Sequence, residues 1–261
     1  MPSGSTPAAD DASSAGVRRL LDVIRRKQVC ARILLHPAVG SPLRPKTRRR
    51  FYEECWNNNE AGHVAFCDKG TQIAFTSGGD LYVMDTVLCE PRLVHGSSLT
   101  HERACVFSPD GKALYYVSDR GDGMDIWKAE RADPKKSWWE NRSFIRTQIT
   151  HDNEIRREFT LSPDGKSFAW QNFCGRLFFA GTNGVVRAKG PDSQREGHYS
   201  WSPDGKYVVA QLNSVDSQRE IAIVSTTENA KYWLLTKNFE YDGWPTWSPD
   251  GQIVAFDHQL Q

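Results

Sequence analysis

From Ala61 onward, short apolar runs alternate with polar turns at a steady interval. Five runs set the rhythm: "IAFTS" (73–77), "LYYVS" (114–118), "FAWQN" (168–172), "YVVAQ" (207–211) and "IVAFD" (253–257). Each is about five residues long, alternating or wholly apolar, and predicts a half-buried or fully buried strand. Each follows a glycine-bearing turn, and an apolar residue stands before each turn: Phe66, Phe107, Leu161, Trp201 and Trp247. Four of the turns read Ser-Pro-Asp-Gly, at Ser108–Gly111, Ser162–Gly165, Ser202–Gly205 and Ser248–Gly251. The first unit has Cys67-Asp68-Lys69-Gly70 in that place. Proline pre-sets φ for the second turn position, aspartate bonds its own backbone and glycine accepts positive φ. The phrase therefore predicts a hairpin loop joining two strands.

A third strand follows in each full unit: "DLYVMDT" (80–86), "DIWKAE" (125–130), "RLFFAG" (176–181) and "EIAIVST" (220–226). A weaker fourth follows: "EPRLVHG", "IRTQIT", "VVRAKG" and "YWLLTK". The turn glycines Gly70, Gly111, Gly165, Gly205 and Gly251 are spaced by 41, 54, 40 and 46 residues. Four-strand units at that period, with no helix between them, predict an all-β protein: a β-propeller of four-stranded antiparallel blades. A β-sandwich would not repeat its turn chemistry in register. The blades fall near 61–99, 103–150, 158–190 and 198–238, within a propeller region of 51–261. A partial blade of two strands lies at 244–261. The reading is an incomplete propeller of about four and a half blades, whose last unit should expose a sheet edge.

Residues 1–50 show no blade pattern and read as a disordered, basic N-terminal extension. The first sixteen residues are small and polar. Val17, Leu20, Leu21 and Ile24 follow helical spacing, and "RPKTRRR" (44–50) is a basic run. A transit peptide, an altered reading of the gene, or contact with RNA or lipid stay open for this stretch. Its longest apolar run is too short for a secretory signal. The compartment is therefore open: cytoplasmic by default, periplasmic if an export signal was lost.

Composition narrows the chemistry. A formal net charge of +1 steers the chain to neither nucleic acid nor membrane. No apolar run nears the roughly 18 residues of a membrane span. The six cysteines (Cys30, Cys55, Cys67, Cys89, Cys105, Cys174) form no CxxC pair and read as unpaired thiols. The seven histidines are scattered without metal-binding spacing, and no Gly-x-Ser-x-Gly elbow occurs. Asp110, Asp164, Asp204 and Asp250 lie on separate blades, so turn capping outweighs calcium binding. "SDRGDGMD" (118–125) reads as the connection between second and third strands. The expectation is no catalytic residue, no metal and no cofactor. The candidate docking residues are Trp138 and Trp139, adjacent in an insertion between Lys135-Lys136 and Glu140. One could pack beneath its loop, or the pair could form an aromatic platform for a peptide or a neighbouring domain.

The "FSPDGK…YVSDR…DIW" pattern resembles the propeller repeats of tricorn-type proteases and of TolB, and more distantly those of prolyl oligopeptidases. The ADPKK-x-WW insertion within Asp125–Thr150, together with Thr76–Val94, is similar to bacterial tricorn-like serine peptidases. The resemblance covers about Gly62 to Gln261. It implies a propeller that gates or docks peptides for a PDZ-like module and a protease domain outside this chain. No catalytic residue of that family carries over. The alternative it implies is a stand-alone TolB-like scaffold for other proteins.

Overall fold

The computed structural model describes residues 64–259, except 68–69, 87–89, 98, 121–122, 153, 155, 157, 173, 194–196, 214–218, 228 and 238–240. The expectations for the N-terminal extension, and for 51–63 as part of the propeller, fall outside the described residues. Eighteen strands and no α-helix make up the described part. The first blade contains β1 (Val64–Cys67), β2 (Gln72–Ser77), β3 (Asp80–Asp85) and β4 (Pro91–His95). The second contains β5 (Glu102–Phe107), β6 (Ala113–Ser118), β7 (Asp125–Arg131) and β8 (Phe144–Gln148). The third contains β9 (Phe159–Leu161), β10 (Ser167–Gln171), β11 (Leu177–Gly181) and β12 (Val186–Lys189). The fourth contains β13 (Tyr199–Trp201), β14 (Tyr207–Asn213), β15 (Arg219–Ser225) and β16 (Tyr232–Leu234).

In every blade the strands pair in chain order and antiparallel. This is the up-and-down blade of a β-propeller. Two more strands, β17 (Tyr241–Trp247) and β18 (Val254–Gln259), pair with each other. They join the fourth sheet through one parallel bridge, Arg219 to Tyr241. The first strand of each unit lies innermost: β1 packs beside β5, β5 beside β9 and β13 beside β17.

The four Ser-Pro-Asp-Gly turns are one structure built four times. Each serine hydroxyl donates to its own turn's aspartate, at 2.6–2.7 Å. It also accepts from the backbone N–H five residues on, at 2.9–3.0 Å. The same aspartate oxygen accepts the N–H two residues past it, at 3.1 Å. These bonds hold the Asp110 and Asp164 carboxyls below the usual carboxylate range, the serine hydroxyl contributing most. The turn glycines sit at φ of 67–71°. A side chain at Gly165 would also meet the ring of Pro109 in the preceding blade's turn, at 2.7 Å. Glycine is thus required twice over, by its own dihedral and by its neighbour. The repeated phrase is a structural clip.

Blades meet face to face across four apolar seams. Ala65, Cys67, Ala74, Leu81, Val83 and Val94 of the first blade pack against Phe107, Leu114, Tyr116 and Trp138 of the second. Tyr115, Val117 and Ile126 of the second meet Phe159, Phe168 and Trp170 of the third. Leu177 and Phe179 of the third meet Trp201 and Val208 of the fourth. Val209, Ile221 and Ile223 of the fourth meet Trp247 and Val254. In each seam the residue before the turn (Phe107, Leu161, Trp201 or Trp247) turns back onto the preceding blade. Phe66 holds that position in the first blade and is 69% exposed, with Val64 and Leu93 exposed beside it.

Candidate functional site

The insertion that widens the second unit lies between β7 and β8. Asn141 ties it together: its Oδ1 accepts from Asp133 N–H at 2.9 Å, and its Nδ2 donates to Ser137 O at 2.8 Å. Trp138 is 1% exposed. Its ring stacks on Phe144, at 5.8 Å between centroids, and meets Phe107 edge-on at 5.4 Å. Its Nε1 donates to Gly111 O of the turn at 2.8 Å, and its backbone N–H to Gln72 Oε1 of the first blade at 2.7 Å. Trp138 therefore anchors the insertion across the first seam. Trp139 is half-buried, and its carbonyl accepts from Arg92 Nε on β4. The two tryptophans face different surroundings, so the free aromatic surface on this loop belongs to Trp139.

A second group of residues gathers where the inner strands begin. Counting six residues back from the turn serines Ser108, Ser162 and Ser248 gives Glu102, Arg156 and Asp242, all buried. Each is held by a network. Glu102 accepts from His95 Nδ1 at 2.8 Å and from the Ser118 hydroxyl at 3.1 Å, joining the first blade to the second. Arg156 lies 4.7 Å over the Trp170 ring and donates to Asp152 at 2.5 Å. It also reaches Asp125 at 3.5 Å. Burial raises the Asp152 carboxyl, but Arg156's donation and charge outweigh it and leave the group below its usual range. Asp242 pairs with His258 Nδ1 at 2.6 Å.

Asp125 opens β7 and accepts from the Thr150 hydroxyl at 2.7 Å, which in turn accepts from Ile126 N–H at 2.9 Å. Glu220 and Thr236 repeat that arrangement in the fourth blade, at 2.8 Å, with Ile221 N–H on the hydroxyl at 2.9 Å. In the third blade the charge order is reversed, with Arg176 donating to Asp192. These groups are consumed in holding strand ends together.

Counting four residues back from each turn serine gives Ala104, Glu158, His198 and Trp244. Ala104 is buried, but the other three reach the surface. Ala104 and Trp244 sit at φ of 37° and 53°, in register breaks of β5 and β17. A bulge with a left-handed residue is thus a recurring device at this position. For alanine it is buried and silent. For tryptophan it throws a ring outward, and Trp244 is 65% exposed. The ring stacks on His198 of the adjacent strand, with centroids 3.3 Å apart and planes at 18°. Burial holds the His198 imidazole below its ordinary pKa, Glu158 pulls it back up and Arg219 pushes it down again. The Arg219 guanidinium lies 5.4 Å over the Tyr241 ring. Exposed Asp257 pairs in register with Gly243, next to Trp244.

Among the described residues, no group of three or more histidine, cysteine or acidic side chains is placed to hold a metal. Cys67 and Cys105 are buried thiols outside any disulfide, and Cys174 is an exposed one. Burial pushes the Cys105 thiol up to about 12, which makes it an inert core group. A cleft of about 460 Å³ lies along the outer strands, lined by Lys189, Pro191, Tyr232 and Trp233 among others. The row of Ala104, Glu158, His198 and Trp244 was missed in the sequence because its residues share a position rather than a type. The signal that finds it is the fixed offset from the turn serine.

No protein-family model and no curated protein matches the chain. Solved structures do. TolB from Acinetobacter baumannii superposes with a TM-score of 0.53 at 22% identity, covering 68% of this chain and 44% of that one. Kuenenia stuttgartiensis hydrazine synthase superposes at 0.58 and 18% identity, covering 79% and 59%. A TolB-type structure from Agrobacterium tumefaciens gives 0.53 and 18%, covering 76% and 74%. The chain thus spans under two thirds of the first two. What is shared is the fold, a β-propeller of the TolB type.

Proposed function

We propose that this chain is a docking module that binds a peptide or a protein partner and carries out no chemistry of its own. The observation that supports it is Trp244. A bulky residue held in the left-handed region is strained, and such strain concentrates at ligand sites. Here it keeps an indole in water beside the imidazole of the fourth blade. Exposed tryptophan of this kind is a typical hot spot of protein interfaces. Trp139, on its tied-down insertion, supplies a second aromatic contact at the blade's outer side.

The more specific reading is that this propeller gates or docks peptides for a tricorn-like serine protease whose PDZ-like and catalytic parts are separate from these residues. Its support is the ADPKK-x-WW insertion and the repeat pattern. The alternative is a stand-alone TolB-like scaffold, supported by the likeness of fold. The docking role is tested by titrating the purified chain against a fluorescent decapeptide library. Saturable binding weakened by Trp139→Ala or Trp244→Ala is the expected outcome, and no binding across the library overturns it. The intact mass and peptide map of the native product separate the two contexts. Peptidase sequence in the same product supports the protease gate, and its absence the scaffold.

A further inference from the structure

We infer that the Trp244–His198 stack is a receptor for a cationic side chain, lysine or arginine, presented by the docked partner. This rests on the docking reading and adds the chemistry that the partner must bring. Three tryptophans of the chain already carry a guanidinium over the ring: Trp127 has Arg120 at 5.6 Å, Trp138 has Arg131 at 5.7 Å and Trp170 has Arg156 at 4.7 Å. Trp244 has none. Among the described residues its one ring partner is His198, which covers a single face. The other face looks outward with the negative pole of the indole quadrupole unmatched.

The charges nearby favour the same ligand. Asp257 stands exposed on β18 in register with Gly243, with no ion-pair or hydrogen-bond partner among the described residues. Glu158 acts on His198 electrostatically. Among the described residues, Arg219 acts on His198 and is already placed over Tyr241. His198 is held toward its neutral form by burial, so at neutral pH it does not repel a second cation. An exposed indole with an acidic residue on the paired strand favours an ammonium or guanidinium group. The stack on His198 holds the ring before the ligand arrives, so little side-chain freedom is lost on binding.

The test uses the full chain and four fluorescein-labelled decapeptides that share one Gly/Ser/Ala frame. The central residue is lysine, arginine, norleucine or glutamate. Anisotropy titrations at low salt should show the lysine and arginine peptides binding about tenfold tighter than norleucine, with glutamate weakest. Trp244→Ala should abolish that preference, Trp244→Phe should keep part of it, and Asp257→Asn should reduce it while leaving the fold intact. Far-UV circular dichroism of each variant checks folding, and Asp257→Asn carries the test if Trp244→Ala unfolds. Equal binding of all four peptides, or a preference that survives both Trp244→Ala and Asp257→Asn, overturns the cation receptor and leaves the docking role standing. No binding by any of the four, when the random library does bind, also overturns the receptor alone. Silence from both sets overturns both.

Discussion

Replacing Trp138 with alanine should cost more stability than any other single change on the insertion. The ring is buried in the first seam between Phe107 and Phe144, and its Nε1 binds the carbonyl of Gly111 at 2.8 Å. Truncating a buried tryptophan to alanine removes about 3–5 kcal/mol through lost transfer free energy and the cavity left behind. Leaving the Gly111 carbonyl without its donor adds about 1 kcal/mol. The expected loss is therefore about 4–6 kcal/mol, a large part of the ~5–15 kcal/mol that a typical domain has. Trp138→Phe retains most of the packing and loses the donor, so about 1–2 kcal/mol is expected. Trp139→Ala, at a half-buried site, should cost less than about 1 kcal/mol. Urea unfolding followed by far-UV circular dichroism measures all three, since fluorescence would change with the substitution itself. An unchanged m-value confirms that stability, and not the denatured state, has moved. A Trp138→Ala loss under about 1 kcal/mol, or a Trp139→Ala loss of equal size, would refute the anchoring role.

Four further outcomes follow from the geometry. Ser202→Ala deletes a buried hydroxyl that donates to Asp204 at 2.7 Å and accepts from Tyr207 N–H at 3.0 Å; a loss of about 1–2 kcal/mol in urea unfolding is expected. Arg156→Ala removes the cation facing Asp152 and buried Asp125 and should cost about 3–5 kcal/mol, measured the same way. Because burial lowers the folded pKa of His198, its contribution to stability is complete above the unfolded value of about 6.5 and is lost as pH falls toward the folded value. Fluorescence of Trp244, read as the difference between the parent and Trp244→Phe, should titrate with a midpoint below about 6.5 and lose its step in His198→Gln. Phe66→Ser should leave stability within about 0.5 kcal/mol and reduce binding of an apolar dye, whereas Phe107→Ser, at the same position one blade on, should cost at least about 3 kcal/mol.

The blade architecture was legible in the sequence because one turn is written four times. The residue types in Ser-Pro-Asp-Gly correspond one by one to bonds: the hydroxyl to the aspartate, the aspartate to the next N–H, the glycine to a positive φ. The strands after each turn were equally legible, since "LYYVS" and "YVVAQ" have neither charge nor helical period. The fate of Trp138 and Trp139 was left open. Adjacent aromatic residues in a loop carry no periodicity, and which one turns inward depends on Gln72, 66 residues away. The row ending at Trp244 was invisible for another reason. Ala104, Glu158, His198 and Trp244 share no chemistry, only their offset of four residues from the turn serine, and the left-handed bulge occurs at Ala104 and Trp244. Gln171 was hidden likewise: its Oε1 accepts Gly197 N–H of the next blade at 2.7 Å, a tie that no local pattern announces.

The seams run one way around the molecule, and this sets where the protein comes apart. Each blade draws its stability from its neighbours, so the whole behaves as a short one-dimensional chain of coupled units. The second and third blades are covered on both faces, and amides of β6 and β10 should exchange with solvent most slowly. The β17–β18 pair is held to the fourth sheet by one parallel bridge and a single seam, so its opening free energy is the lower. Trp244 rides on that loosely held pair. A ligand seated on its ring would therefore act as a latch, protecting β17 and β18 from exchange by RT ln(1 + [L]/Kd) while leaving the inner blades unchanged.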